Sequence, residues 1–541
     1  MANKSEPVFK SYQMDQLIMF PPDIGETIPE KHLVRVVNRF VERLDLSSII
    51  RRYPGGGSSS YHPRMMLKVL LYAYADKVYS SRRIAKSVRE NLNYIWIAGW
   101  NKPDFRTINR FRLSIKDEIG EIFYSMVEML FGDGYIKLEN YFLDGTKIEA
   151  NANKYSFVWK KSVKKNKAKL IANVEELLKR IDEENERENE AYGDKDLEEM
   201  GEEAGIDSEK LKAKAKELNE KLKNKPNDKE TKKALKKIEG DYLPRLTKYE
   251  EQEELLGERN SYSKTDTDAV FMRMKEDHMR NGQLKPGYNV QIGTENQFIV
   301  GFSVHQRPGD TGTFIPHMEE IKNGLPKMPE NIIADAGYGS EENYDYVDRH
   351  DFGNYIKYNN FRIEDTKKFK EDLFRTENLT YDIESDAYGC PNGKELKYTH
   401  TKSFKTENGY LTERLIYECG DCNGCLLREQ CHKGKANRTI QVSHRLNYYR
   451  RIAKENLKSE IGWELRRLRG VEPESVFGDI KWNAGFRRFL LRGLKNTILE
   501  WGLISIGHNL RKMSLRLSKS FFCFVNSISD MLRLKFLPSF A

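Results

Sequence analysis

No uncharged apolar run in the 541 residues reaches the ~20 residues that a membrane-spanning helix needs, so no span is expected. No secretory leader is expected either, because the N-terminus is polar (Ala2-Asn-Lys-Ser-Glu6). Cysteine is scarce. Five of the six cysteines fall between Cys390 and Cys431, which excludes a disulfide framework spread along the chain and points to a local thiol site in a reducing compartment. A strong charge imbalance is missing too. Lys and Arg number 91 against 82 Asp and Glu, a formal net charge of +9. That excess alone fits a ribosome- or membrane-associated protein almost as well as one that handles nucleic acid. What remains is a chain of several domains, too long for one hydrophobic core and expected in the cytoplasm.

The charge that is present is unevenly placed. Residues 448–512 are rich in Arg and Lys and carry Trp463, Trp482, Phe486 and Phe489, whereas acids crowd residues 175–209. A basic face and a separate acidic one suit a polyanionic partner. Residues 32–114 read as a compact helical domain. Val34, Val37, Phe40, Val41 and Leu44 recur at helical spacing, and a Gly-Ser loop follows at 55–60. Pro63 takes a first-turn position ahead of residues 65–72, Ser80 is expected to cap a further helix, and residues 104–112 make another. Exposed Arg and Lys on such helices fit a DNA-binding head or an oligomerisation domain equally.

Residues 160–258 form a charged insert. Leu170, Ile171, Val174, Leu177, Leu178 and Ile181 repeat at helical spacing, as do Leu211, Leu218 and Leu222, and then Leu235, Ile238 and Tyr242. Gly193, Gly201, Gly205 and Lys225-Pro-Asn-Asp228 separate these segments. The pattern predicts a helical hairpin or short antiparallel coiled coil, with a solvated spacer arm as the alternative.

Strand signals occupy residues 141–148 and resume after the insert. Tyr288-Asn-Val-Gln-Ile292 and residues 298–304 read as a hairpin across Gly293-Thr-Glu-Asn-Gln297. Residues 314–321 and 341–347 read as helices, 332–334 and 354–358 as strands. Periodicity says α/β and no more.

Three acids stand out in this frame. Asp144 ends an apolar run in Asn140-Tyr-Phe-Leu-Asp-Gly-Thr-Lys147, and Asp335 ends another in Asn331-Ile-Ile-Ala-Asp-Ala-Gly-Tyr-Gly339. Glu474 opens a helix-like stretch, Glu474-Ser-Val-Phe-Gly-Asp-Ile-Lys481. Each alone is more often a turn or cap former. Placed at strand ends and on a nearby helix, such carboxylates can converge on two divalent ions, the equipment for cutting phosphodiesters. Gly145 and Thr146 leave room beside Asp144, and the small residues after Asp335 admit a close backbone approach. Arg469 and Lys481 flank Glu474 and are expected on phosphates, with Lys481 facing the same way as Glu474 on one helix. Asp266, Asp268 and Asp310 are expected to cap loops, with support of the three acids from behind as the alternative, and His508 to be structural.

The cysteines make the second site. Cys390 is followed by Pro391-Asn-Gly393, and Cys431 follows Cys419-Gly-Asp-Cys-Asn-Gly-Cys425. Paired thiols around tight glycine turns suit a closed, structural Zn²⁺ site. Cys390, Cys422, Cys425 and Cys431 are the expected ligands and Cys419 the spare; a reduced, metal-free cluster is the alternative.

These blocks resemble the DDE transposases of bacterial insertion sequences, in the subgroup with a helical N-terminal domain, a helical insert and a cysteine-rich segment. His62-Pro-Arg-Met-Met-Leu67, Ser80-Ser-Arg-Arg-Ile84 and Pro103-Asp-Phe-Arg-Thr-Ile108 carry the likeness at the start of the chain. Ser261-Tyr-Ser-Lys-Thr-Asp266 and Pro308-Gly-Asp310 carry it in the middle. The Glu474 to Lys481 block with Arg487-Arg-Phe489 and His508-Asn-Leu510 carries it at the end.

The resemblance implies an α/β, RNase H-like mixed-sheet core in two parts, residues 131–159 and 259–360, completed by helices in 444–515. Around it stand a helical DNA-binding domain at 1–130, the charged insert at 160–258, a zinc-binding insert at 361–443 and a tail at 516–541. It further implies Asp144, Asp335 and Glu474 as the catalytic triad and the ligands of two Mg²⁺ ions, with Mn²⁺ as substitute. Glu472 is the rival third acid, and the spacing to Phe477, Gly478 and Lys481 favours Glu474. Arg469, Lys481, Arg487 and Arg488 are the implied DNA contacts. The implied reaction is water attack at a transposon end followed by attack of the freed 3′-hydroxyl on target DNA, without a covalent enzyme intermediate. The implied partners are double-stranded DNA, as transposon ends and target, and further copies of the chain as a homodimer or higher assembly. A nuclease of the same fold that cuts without joining, and a silent DNA-binding derivative, are the alternatives.

Overall fold

The computed structural model describes residues 23–53, 60–192, 206–224, 228–274 and 283–535. The polar N-terminus, the Gly-Ser loop at 55–59, Gly193, Gly201, Gly205 and residues 225–227 lie outside the described residues. The chain divides into two compact units, residues 1–115 with 506–541, and residues 116–505.

The first unit is helical. Leu33–Arg43 buries Val34, Val37, Phe40 and Val41, the stripe its spacing predicts. Pro63–Ala75 starts with proline at its first position, where no amide hydrogen is needed, and His62 caps it by accepting the Arg64 N–H at 3.1 Å. Its side chains are buried from Leu67 to Ala75 apart from Lys68, so this is the central helix of the unit. Ser81–Glu90 and Phe105–Ser114 follow. Asp104 caps the latter through the Thr107 N–H at 2.7 Å, whereas Ser80 sits at a cap position and makes no side-chain cap bond.

In the second unit a six-stranded mixed sheet is the organising element. Asn140–Glu149 lies in its middle and is buried along most of its length, as a strand covered on both faces must be. It runs antiparallel to Leu284–Glu295 and parallel to Asn331–Ala334, which in turn runs parallel to Gly353–Ile356. Val270–Arg273 and Phe298–His305 share the outer edge of Leu284–Glu295, both antiparallel.

The hairpin turn is shorter than the sequence predicts. The ladder runs on to Glu295 and only Asn296 and Gln297 turn, with φ of 53° and 60°, the pair of positive angles a two-residue hairpin takes. Gly293 looks like a breaker, yet it lies inside the ladder. A Cβ there would stand 1.7 Å from Cζ of Tyr141, so the glycine makes way for that ring.

The charged insert leaves the sheet through the short pair Phe157–Trp159 and Ser261–Ser263. It is not a simple hairpin. Lys160–Tyr192, Ser208–Asn224, Lys229–Lys237 and Leu243–Leu256 pack around their own apolar core of Leu170, Val174, Leu211, Leu218, Ile238 and Leu246. The third repeat of apolar residues joins the same core instead of facing solvent. The cysteine-rich segment contributes a separate five-stranded antiparallel sheet, dominated by Glu395–Lys405 and Leu411–Cys419. Among the described residues no helix is long and apolar enough to cross a membrane.

Candidate active site

Register puts the first two acids together. Phe142 pairs with Ile333 on the neighbouring parallel strand, and Asp144 and Asp335 each lie two residues further on. Side chains two apart along a strand share a face, so both acids emerge on the same side of the sheet at the same level. Asp144 stands in mid-strand and not at a strand end, because Leu284–Glu295 keeps pairing with its strand as far as Glu149. Asp335 does end its strand, and its Oδ1 accepts the Gly337 N–H at 2.8 Å at the head of a 3₁₀ turn.

Glu474 comes from the short helix Pro473–Gly478. It meets the other two acids around a single cation. Arg469, the last residue of the helix Glu460–Arg469, places Nη2 3.3 Å from Asp335 Oδ2 and 3.7 Å from Asp144 Oδ1, and Nη1 3.9 Å from Glu474 Oε1. These are ion pairs, too long for the forked hydrogen bonds a guanidinium makes with a carboxylate. Exposure rises across the site, from 9% for the Asp144 side chain to 39% for Asp335 and 59% for Glu474. Arg469 itself is 10% exposed, and its Nε is buried without a hydrogen-bond partner.

Glu472 points elsewhere. Buried, it accepts the Gln297 N–H at 2.6 Å and so pins the hairpin turn. Lys481 does not share a face with exposed Glu474, because the helix widens into a π turn, Asp479–Asn483, and Lys481 is buried with Nζ on the Lys147 carbonyl at 3.2 Å. Arg488 bonds the carbonyls of Ala150 and Ala152, and Arg487 lies over the exposed Trp482 ring at 3.8 Å.

Residues 389–514 match a family model described as a Transposase DDE domain, and residues 22–114 match one described as a Transposase domain (DUF772). Both matches support a DDE transposase of the insertion-sequence type. No curated protein matches it. The DDE-domain match spans the five cysteines, the three later strands of their sheet, Arg469 and Glu474, while Asp144 and Asp335 precede it.

Oxygen donors of this kind suit a hard divalent cation, and they gather where a guanidinium now balances their charge. As placed, no three His, Cys, Asp or Glu side chains among the described residues form a group ready to hold an ion. Binding one requires these carboxylates to close in from around Arg469.

Several further residues lie near the acids. Asp310 leaves the capping of its own 3₁₀ turn to its carbonyl; its Oδ1 instead accepts from Asn289 Nδ2 at 2.8 Å and Gln291 Nε2 at 3.1 Å. Tyr338, wholly buried, donates its hydroxyl to Gln291 Oε1. Burial and then the charges of Asp310, Asp144 and Asp335 push that phenol well above its ordinary range. Lys357 is held below its ordinary value by burial and then by Arg469, with Asp335 opposing. Asp310 was visible in Pro308-Gly-Asp310; nothing in the local pattern marked Lys357 or Tyr338.

In the cysteine-rich sheet, Cys390, Cys419, Cys422, Cys425 and Cys431 are free thiols lining one small cavity. Cys419 is buried at the end of its strand beside Cys422, and burial, then the hydrogen bond with Cys422, pushes its thiol up to about 11. Arg438 donates to the sulfurs of Cys422 and Cys431, at 3.4 and 3.0 Å. The tip of the long hairpin reaches the loop that carries Asp310: Asn408 accepts from Arg307 and donates to the Gly312 carbonyl.

Proposed function

We propose that this transposase binds transposon ends, cleaves them by attack of water, and joins the freed 3′-hydroxyl to target DNA, with Asp144, Asp335 and Glu474 as its catalytic acids. The observation that carries the reading is their convergence, from two adjacent strands and a later helix, on one guanidinium. The strand order, with three strands in antiparallel succession on one side of Asn140–Glu149 and two parallel strands on the other, supports an RNase H-like core.

The three carboxylates hold two Mg²⁺ ions in this reading, with Mn²⁺ as substitute. Bound there, the ions would supply activation of the attacking oxygen and charge stabilisation at the leaving one. The chain's own residues do the rest. Asp144 anchors the deep side of the site, and Glu474 approaches from the open side where DNA enters. Arg469 and Arg487 take DNA phosphates, as planar guanidinium groups do well. Lys481 and Arg488, bonded to backbone carbonyls, set the wall of the site and reach DNA only by releasing them. Arg82, Arg83, Lys86, Arg106 and Arg110, exposed on two helices of the first unit, serve end binding. Paired ends call for a homodimer or higher assembly.

For the cysteines we infer a structural Zn²⁺ from donor chemistry: five thiols face one cavity, the Arg438 guanidinium sits beside Cys431, and the Arg438 backbone N–H donates to Cys422. Cys390, Cys422, Cys425 and Cys431 remain the proposed ligands. Holding the ion requires the loop between Cys419 and Cys431 to close.

The test is a Mg²⁺-dependent cleavage and strand-transfer assay on DNA bearing the gene's own flanking sequence, with Asp335→Asn and Glu474→Gln alongside. Cleavage and joining by the unaltered chain, both reduced more than about 100-fold in each variant, is the expected result. Cleavage without joining points to a nuclease, and activity unchanged in either variant overturns the triad.

A further inference from the structure

Strand register brings a lysine to the level of the acids. Ile333 pairs with Phe142 on one side and with Tyr355 on the other, both in parallel. Two residues further along each strand stand Asp144, Asp335 and Lys357, and alternation puts all three on one face of the sheet. The ladder holds as far as Lys357, whose N–H donates to the Ala334 carbonyl at 3.2 Å.

The lysine is half-buried, and among the described residues its ammonium has no hydrogen bond or close ion pair. Burial and then Arg469, Arg362 and Arg466 act against its charge, with Asp335 opposing. Asp335 already faces Arg469 at 3.3 Å. The acids of the adjoining loop are engaged elsewhere: Glu364 pairs with Lys454 at 3.0 Å and Asp365 with Lys458 at 2.7 Å. Arg466 donates from Nε to the Gly462 carbonyl at 3.2 Å and lies over the Phe361 ring, and Arg362 is exposed. A partly desolvated ammonium set among guanidinium groups is unfavourable until an anion joins them. Asp335, at the same level of the sheet, is 39% exposed, so an anion can arrive there from solvent.

We propose that Lys357 is a further DNA contact of this site and, with Arg466 near it, seats a backbone phosphate of the strand that lies across Asp335. The proposal rests on the catalytic reading given above. It adds a cation held by the sheet itself, whereas Arg469 reaches the site from a helix. An ammonium suits a phosphate as a point charge and fixes no bidentate geometry.

The experiment measures binding and Mg²⁺-dependent nicking of duplex DNA bearing the gene's own flanking sequence. The full chain is compared with Lys357→Met, Lys357→Arg and Asp335→Asn. The duplexes carry single uncharged methylphosphonates stepped across the cut. Lys357→Met is expected to weaken binding by about tenfold or more, and Lys357→Arg to recover most of it. Without DNA, Lys357→Met should melt no lower than the unaltered chain, because it removes a charge that its surroundings disfavour. One methylphosphonate should weaken binding by the unaltered chain and leave Lys357→Met unaffected. Losses that add at every position make the lysine part of the fold alone and overturn the proposal. Binding unchanged in Lys357→Met, with nicking lost in Asp335→Asn, also overturns it and leaves the triad standing. An unaltered chain that neither binds nor nicks overturns both readings. Lys357→Gln, tested on the same methylphosphonate duplexes, serves if the methionine variant does not fold.

Discussion

Arg469 Nη2 stands 3.3 Å from Asp335 Oδ2, and through the same guanidinium Asp335 is linked to Asp144 and Glu474. The arginine balances charges that otherwise repel one another across the mouth of the site. Arg469→Ala therefore lowers stability in the absence of divalent ions. The expected loss is on the order of 1 kcal/mol, small because Asp335 and Glu474 are partly exposed. Added Mg²⁺ should then raise the melting temperature of the variant more than that of the unaltered chain. Equal Mg²⁺ shifts in the two proteins would show that the guanidinium is not standing in for an ion.

Glu472 and Glu474 separate by kind of defect. Glu472 is buried on the Gln297 N–H, so Glu472→Gln weakens a charge-assisted hydrogen bond and costs about 1–2 kcal/mol while cleavage persists. Glu474→Gln leaves the melting temperature within about 0.5 kcal/mol of unaltered and abolishes cleavage. Melting curves and nicking rates on the same preparations decide it, and the reverse pattern makes Glu472 the third acid.

Gly145→Ala drives a methyl group into Gln291 and Asp310. Overpacking of this kind costs about 1–3 kcal/mol. Cleavage should fall further than the residual folded fraction explains, because the methyl displaces groups beside Asp144. Denaturant melts and initial rates measured together give the comparison.

His317 gives the fold an acid sensitivity. Fully buried between Tyr141 and Ser303, it titrates at about 3 instead of 6.5, chiefly through burial. Between those values the unfolded chain binds a proton that the folded chain does not. Stability is therefore full above pH 6.5 and declines as pH falls towards 3, by at most about 1.4 kcal/mol per pH unit from this group. His317→Asn should melt lower at pH 7.5 yet lose less between pH 7 and 5 than the unaltered chain; parallel losses would assign the slope to other groups.

Much of the sheet was legible because its strands are short apolar runs bounded by polar turns, as at Asn331–Ala334. Errors arose where a residue serves a distant partner. Gly293 reads as a breaker, and only the ring of Tyr141, 152 positions earlier, explains it. Lys481 reads as an exposed helical lysine, and only the π turn, which no local spacing announces, carries it inward. The two aspartates could be nominated one by one from their neighbours. Their common level on adjacent strands depends on the Phe142–Ile333 register, a pairing between segments separated by the whole insert. Asp310 was read first as a cap, since an acid near a turn is usually one, and only the Asn289 and Gln291 amides show its side chain turned to the sheet.

The short pair Phe157–Trp159 and Ser261–Ser263 has a consequence for how such a chain can be cut and respliced. Trp159 faces Ser261 across it, and the Lys160 N–H bonds the Asn260 carbonyl at 2.9 Å, so the two ends of the helical insert are clasped at its root. With an apolar core of its own above that clasp, the insert is a cassette. A two-residue turn grafted onto Trp159 and Ser261 could replace it and leave the Asp144 strand in register, and foreign domains with closely spaced termini could be carried there in its stead.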